Sequence, residues 1–222
     1  MPLELIANAA SPTKVGRSLG RPWPMKKHQV ANVALATSLF IAAIPSPGRF
    51  NTDLANWIWI AGAVLMGVFC LVRSAPQTSA TNVSSLVATA GMIVAPFFMV
   101  RTASSTIGLV KGGALAFELL GVALIQVSRL YMGRSFGLLP ANRGIVTSGP
   151  FAMVRHPIYL GWLLLSVGYV FTYPAVRNVV AILVSVPFMI WRIEQEEALL
   201  ENDSVYAAYH KRVPCRLIPG LI

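Results

Sequence analysis

Two stretches of this chain, residues 54–72 and 83–100, contain no charged side chain; the first lies between Asp53 and Arg73, and the second stops at Arg101. About 20 apolar residues in a helix cross the hydrocarbon layer of a bilayer. In lipid every backbone N–H and C=O must be paired inside the protein, so such runs fold as helices. Both are read as spans. A third run, 112–128, is interrupted only by Glu118, and an acid at that depth is expected to face other helices or a cavity. Residues 30–44 form a shorter run, bounded by Lys27 and His28 before it and by Pro45, Pro47 and Gly48 after it, which reads as a first span. The last apolar stretch, 158–191, is broken by Thr172, Tyr173, Pro174 and Arg177 and is predicted to be a helical hairpin of two short or tilted spans. The expected fold is therefore all-α: a multi-pass transmembrane helical bundle of about six spans, or five if the hairpin only dips into the membrane.

Composition supports this and excludes other classes. Only 12% of the residues are charged, against 55% hydrophobic, with a mean hydropathy of +0.65; a soluble domain carries about 25% charged residues. A disordered or coiled-coil chain is excluded for the same reason. The net charge of +10 comes from basic residues scattered singly between apolar runs, and nucleic-acid binding would gather them on one face. The lipid bilayer is the expected partner, not nucleic acid. With six spans, fourteen of the 18 Lys and Arg fall on the side of the termini, and only Arg49, Arg101, Lys111 and Arg177 fall opposite. The positive-inside rule then puts both termini in the cytoplasm. Residues 1–28 are basic, hold Glu4 as their one acid and have no secretory apolar core; they read as a disordered cytoplasmic arm, with a targeting segment as the alternative. Cys70 and Cys215 are too few for a disulfide framework or a zinc site, and the lone His28 and His210 lack ligand spacing, so no metal is expected.

Residues suited to chemistry cluster in two places. Five of the eight acids, Glu194, Glu196, Glu197, Glu201 and Asp203, fall within 194–203, beside Arg192. If the last helix continues past the membrane, Arg192 and Glu196 are i, i+4 neighbours, as are Glu197 and Glu201. Such a stripe is either a solvated face or part of a site. The second concentration is the loop 143–161. Thr147-Ser148-Gly149-Pro150 is turn chemistry, and Pro157 suits the first position of a helix. His156 then sits at a helix entrance with Tyr159 in the next turn, where unpaired backbone N–H groups are available to a carboxylate or a ribose. A histidine there serves either as a structural hydrogen-bonder or as a catalyst. Tyr206 and Tyr209, with Lys211 and Arg212, are expected to form an amphipathic closing segment that packs over the site or on headgroups, acting chiefly as an interfacial anchor with no catalytic part.

Arg155-His156-Pro157-Ile158-Tyr159-Leu160-Gly161, then Arg192, Glu196-Glu197 and Leu199-Leu200, then Tyr206, Tyr209 and Lys211-Arg212-Val213-Pro214, resemble the isoprenylcysteine carboxyl methyltransferase family over residues 135–222. Those are integral membrane enzymes that use S-adenosyl-L-methionine. The resemblance implies a cytoplasmic site formed by the last two helices and their flanking loops. It implies that Arg143, Gly144, Ile145, Val146, Phe151, His156, Pro157, Ile158 and Tyr159 line the cofactor pocket, that Glu196 and Glu197 bind the cofactor, and that Arg192 faces the methyl acceptor, a lipophilic molecule arriving through the bilayer, with Arg192 and Glu196 as the catalytic pair. Arg143 and Phe151 stand where the eukaryotic members tend to have His and Tyr. If the acceptor were an amine, as in phospholipid methyltransferases, a base would be required and Glu197 or His156 would be the candidates. No GxGxxG occurs, which argues against a soluble Rossmann-type cofactor site. The domain plan on this reading is an arm at 1–28, four spans within 29–130 and a methyltransferase-like region at 131–222. An alternative resemblance, to NADPH-dependent sterol reductases, rests on the same Arg-His-Pro element and the tail Val213-Pro214-Cys215-Arg216-Leu217-Ile218-Pro219-Gly220; the adjacent Glu196-Glu197 pair favours the methyltransferase.

Overall fold

The computed structural model describes residues 29–30, 32–34, 36–37, 54–72, 78–79, 83–94, 98–100, 108–135, 141–142, 144–218 and 220. The expected arm at 1–28 and most of the expected first span lie outside them; the described residues between 29 and 37 are helical. Six helices follow: α1 (Leu54–Val72), α2 (Val83–Val94), α3 (Gly108–Met132), α4 (Pro157–Thr172), α5 (Val176–Leu200) and α6 (Ser204–Arg212). Two short strands, β1 (Thr78–Ser79) and β2 (Ala141–Asn142), pair antiparallel with Thr78 opposite Asn142. They tie the α1–α2 connection to the loop that leads into α4.

α3 and α5 are each 25 residues long and apolar enough to cross a membrane, about 37 Å at the helical rise of 1.5 Å per residue. Only 22% and 33% of their most apolar stretches are buried. Leu119, Leu120, Val127 and Leu130 on α3, and Val179, Val180, Leu183, Val184 and Ile190 on α5, point outward. The core helix of a soluble protein would hide these side chains; lipid is the solvent that accepts them.

Helix α2 is shorter than the run that announced it. It is 12 residues long and ends at Val94 instead of continuing to Val100. Pro96 supplies the reason, since proline lacks the N–H that a helix interior needs and disfavours helical backbone at the residue before it. Val100 is held differently: its N–H donates to Asn178 Oδ1 (2.8 Å) and its carbonyl accepts from Asn178 Nδ2 (2.9 Å). Asn178 is fully buried near the start of α5 and also donates to the Tyr173 carbonyl (2.8 Å), so one side chain pins both the residues after α2 and the α4–α5 corner.

The break expected at 172–177 is present, but the hairpin arms do not pack along each other and meet chiefly at the first turn of α4. α4 packs along α3, and α5 packs on α2. Glycine explains the first pairing. A Cβ on Gly121 would come within 2.5 Å of the Leu165 nitrogen and 2.6 Å of the Gly161 carbonyl, and one on Gly161 within 2.7 Å of the Gly121 carbonyl. Backbone therefore lies on backbone, the close approach that small residues allow between helices in lipid. Further along the same seam, Gly168 leaves room for Glu118, which is buried and accepts a hydrogen bond from the Thr172 hydroxyl at 2.6 Å.

Candidate active site

The loop after β2 is shaped by two glycines with positive φ, Gly144 (109°) and Gly149 (63°). At Gly149 a side chain would also strike the Tyr131 ring at the end of α3. One 3-10 turn, Gly149–Ala152, leads to Arg155 and His156. These two extend beside the C-terminal tail: Arg155 N–H donates to the Cys215 carbonyl (3.0 Å) and His156 N–H to the Arg216 carbonyl (2.8 Å). Pro157 then opens α4. His156 is its N-cap by position but does not cap it with its side chain; the ring reaches across to α5 instead.

Successive helix residues point about 100° apart, so the adjacent carboxylates of Glu196 and Glu197 serve two different clusters. Glu197 is the centre of the first. Its Oε1 accepts from Arg155 Nε (2.8 Å) and His156 Nε2 (3.1 Å), and its Oε2 from Arg216 Nε (3.0 Å). A carboxylate only accepts, so His156 carries a proton on Nε2 in this arrangement. Arg155 also donates to the Val213 carbonyl (2.9 Å) and the Pro214 carbonyl (2.5 Å). One buried guanidinium thus joins the loop, the tail and α5. Two guanidiniums face one carboxylate, which leaves this cluster with an excess of positive charge.

The second cluster lies one turn back. Arg192 Nε donates to the Tyr159 hydroxyl (2.6 Å), and Arg192 Nη1 donates to the Thr89 hydroxyl on α2. The Tyr159 hydroxyl in turn donates a hydrogen bond to Glu196 Oε2 (2.9 Å). The Arg192 guanidinium also lies over the Tyr159 ring, 5.9 Å from its centre, in cation–π contact. Next to it, Ser84 and Ser85 of α2 both donate to Gln195 at 3.3 Å. Arg192 is buried while Glu196 is half-buried, so the cluster runs from an interior cation to a carboxylate nearer water.

The structure brings Arg192, Glu196, Glu197, His156, Pro157 and Tyr159 together where the first turn of α4 meets α5. Ile145, Val146 and Phe151 pack under α6, against Tyr206, Tyr209 and Val213. Ile158 turns toward a different group, Phe69 and Cys70 of α1. Arg143 lies outside the described residues, and Gly144 is exposed. Two expectations need correction. Glu197 is no free base, because two guanidiniums and an imidazole already occupy it. For Tyr206 and Tyr209 the anchor gives way to the other placement, a segment packed over the site: each is 4% exposed, and the Tyr209 hydroxyl donates to the Phe151 carbonyl at 2.7 Å. Burial pushes the Tyr209 phenol up to about 12. Three contributors were given no role by the sequence. Arg155 and Arg216 lie inside the motifs that carry the resemblance, whereas Thr89 in an apolar helix gives no signal.

The model of the isoprenylcysteine carboxyl methyltransferase (ICMT) family matches residues 114–202, which contain both clusters except for Thr89 and Arg216. Among solved structures, one of the eukaryotic intramembrane Ras methyltransferase ICMT is similar, with 20% identity over 86% of this chain and 73% of that chain, at a TM-score of 0.47. No curated protein matches the chain in sequence.

Proposed function

We propose that this integral membrane protein, whose residues 114–202 match the model of the isoprenylcysteine carboxyl methyltransferase family, is an enzyme that methylates the carboxylate of a prenylcysteine-like or other lipophilic acceptor. The observation that carries this reading is the juxtaposition of the Arg192–Tyr159–Glu196 cluster with the Glu197 cluster inside the matched segment.

S-adenosyl-L-methionine supplies a methyl group on a sulfonium. The residues present suit it. Glu196 uses one carboxylate oxygen on Tyr159, and its other oxygen takes no bond among the described residues; it is the acceptor for ribose hydroxyls or the ammonium. Ile145 and Val146, which the resemblance places in the cofactor pocket, pack on the buried cluster of Phe151, Tyr206, Tyr209 and Val213. Arg192 is oriented by Tyr159 and Thr89, and a planar guanidinium holds a carboxylate through paired N–H bonds. When the methyl moves, an oxygen–carbon bond forms as the sulfur–carbon bond breaks, and no proton is transferred. Positioning therefore matters more than acid–base help, which agrees with an occupied Glu197.

The topology we assign has a cytoplasmic arm at 1–28, four spans within 29–130, and the α4–α5 pair completing six crossings with both termini cytoplasmic. The site then lies at the cytoplasmic ends of α4 and α5, where a polar cofactor arrives from water and a lipophilic acceptor through the bilayer. Equilibrium binding to the detergent-purified chain tests the reading: S-adenosylhomocysteine binds and NADPH does not. Glu196→Ala weakens S-adenosylhomocysteine binding, while Arg192→Ala leaves it within a few-fold and abolishes methyl transfer into a membrane extract. NADPH binding without S-adenosylhomocysteine binding would overturn the proposal.

A further inference from the structure

Arg155 and Arg192 are both buried, and they are held in different ways. Arg155 Nε meets the Glu197 carboxylate at 2.8 Å, which offsets its charge. The bonds from Arg192 Nε and Nη1 end on neutral hydroxyls, those of Tyr159 and Thr89, and Glu196 is joined to this chain of bonds through the Tyr159 hydroxyl. A guanidinium is planar and only donates, so bonds from two of its nitrogens fix both the place and the tilt of the plane. Neutral acceptors do this without cancelling the charge.

Thr89 is the anchor that comes from far away in the chain. It is 6% exposed and lies in α2, a 12-residue helix with no charged side chain. A hydroxyl in an apolar helix can satisfy itself on the carbonyl four residues back, as Ser128 and Ser185 do on Leu124 (2.6 Å) and Ala181 (2.8 Å). The Thr89 oxygen reaches across to another helix and accepts from Arg192. Its neighbours fix the register that brings it there. Ser84 and Ser85 both donate to Gln195 at 3.3 Å, and a Cβ on Gly91 would lie 2.4 Å from the Phe188 ring. Residue 85 thus meets 195, 89 meets 192 and 91 meets 188, an antiparallel seam in which α2 cannot slide without moving Thr89 off the guanidinium. Among the described residues no hydrogen bond joins Thr89 to Glu196 or to the loop 144–156.

Resting on the methyltransferase reading above, we infer that Thr89 is a positioning residue for the acceptor: its hydroxyl holds the Arg192 guanidinium where the acceptor carboxylate meets it. Presentation of the acceptor is then set from α2, outside the matched residues 114–202, whereas the groups assigned to the cofactor lie in the C-terminal part of the chain.

The test uses the full-length protein in detergent, with labelled S-adenosyl-L-methionine at saturation and a total membrane extract titrated as the acceptor source. Thr89→Val keeps the shape and loses the hydroxyl. Its maximal rate falls about 10- to 100-fold, the cost of a misplaced reacting group, while S-adenosylhomocysteine affinity stays within a few-fold of the parent's. Thr89→Ser, which restores the oxygen, returns the rate to within a few-fold. Ser84→Ala removes a bond from the same seam without touching Arg192 and transfers at the parent rate. Thr89→Ala, which adds no bulk, repeats the valine pattern and serves if the valine variant does not fold. The inference is overturned if Thr89→Val or Thr89→Ala transfers like the parent, if Thr89→Ser is as slow as they are, or if Ser84→Ala is equally slow, which would give the effect to the packing of the seam. A matching loss of S-adenosylhomocysteine affinity would overturn it too. If the parent itself binds no S-adenosylhomocysteine and transfers no methyl, it is the methyltransferase reading that fails, and the inference with it.

Discussion

Replacing Glu197 by Gln removes one charge and almost no volume, and the structure sets the size of the effect. The Arg155 and Glu197 side chains are 3% and 5% exposed, whereas that of Arg216 is 39% exposed. Breaking a buried pair costs about 3–5 kcal/mol because a bare guanidinium stays in a low-dielectric interior; the half-exposed Arg216 contributes less than about 1 kcal/mol, water screening what it loses. The amide oxygen still accepts from His156, which preserves a neutral bond of about 1 kcal/mol. The net expectation is about 3 kcal/mol, which for a chain of this length is a fall of about 6–12 °C in melting temperature. Scanning fluorimetry of the detergent-purified chain reads it. Arg216→Ala serves as the internal comparison and moves the transition by no more than about 4 °C. Arg155→Met in the Glu197→Gln background restores part of the loss, since a neutral pair of similar size leaves no charge buried alone. The reasoning is refuted if Glu197→Gln melts within about 2 °C of the parent, or if Arg216→Ala is the more damaging substitution.

Three further outcomes follow from the same geometry. Gly121→Val wedges a side chain into the backbone contact of α3 with α4 and lowers stability by about 1–3 kcal/mol, while Gly113→Ala, with nothing within 4 Å of its new Cβ, leaves the melting curve unchanged. Asn178→Ala strips both bonds to Val100 and the bond to Tyr173, a loss of at least about 2 kcal/mol in the same measurement. Arg192→Lys keeps the charge but not the fork that spans Tyr159 and Thr89; methyl transfer falls by about 100-fold or more with S-adenosylhomocysteine affinity within a few-fold of the parent.

Hydropathy and charge were enough to place α1 over the described residues 54–72 and to see that the 158–191 stretch is two helices, because Pro174 and the polar residues around it interrupt the apolar pattern locally. They could not say what those helices pack against. That choice depends on Gly121, Gly161 and Gly168 falling on facing surfaces, and a glycine in an apolar run looks the same whether or not a partner lies over it. The length of α2 was misread for a related reason: hydropathy runs smoothly through Pro96, whereas backbone hydrogen bonding does not. In the site, the motif order identified the side chains now found together, yet the two roles of neighbouring carboxylates were invisible. Only the 100° turn between Glu196 and Glu197, and the tail arriving on one side, separates a carboxylate locked among cations from one shared with Tyr159. Tyrosine beside lysine and arginine is equally what a membrane interface carries; the burial of Tyr206 and Tyr209 depends on Phe151 and Val213, 55 and 7 residues from Tyr206 along the chain.

The pairing of Arg155 and His156 with the carbonyls of Cys215 and Arg216 also makes the site depend on a segment outside the apolar helices. Val213, Pro214, Cys215 and Arg216 supply four carbonyl acceptors to Arg155 and His156, and Arg216 adds a guanidinium to Glu197. A cut between α6 and Val213 would leave α3 against α4 and α5 against α2, yet strip the Arg155 guanidinium and two backbone N–H groups of their acceptors. The packing of the helices and the working shape of the loop can thus be uncoupled at one point in the chain.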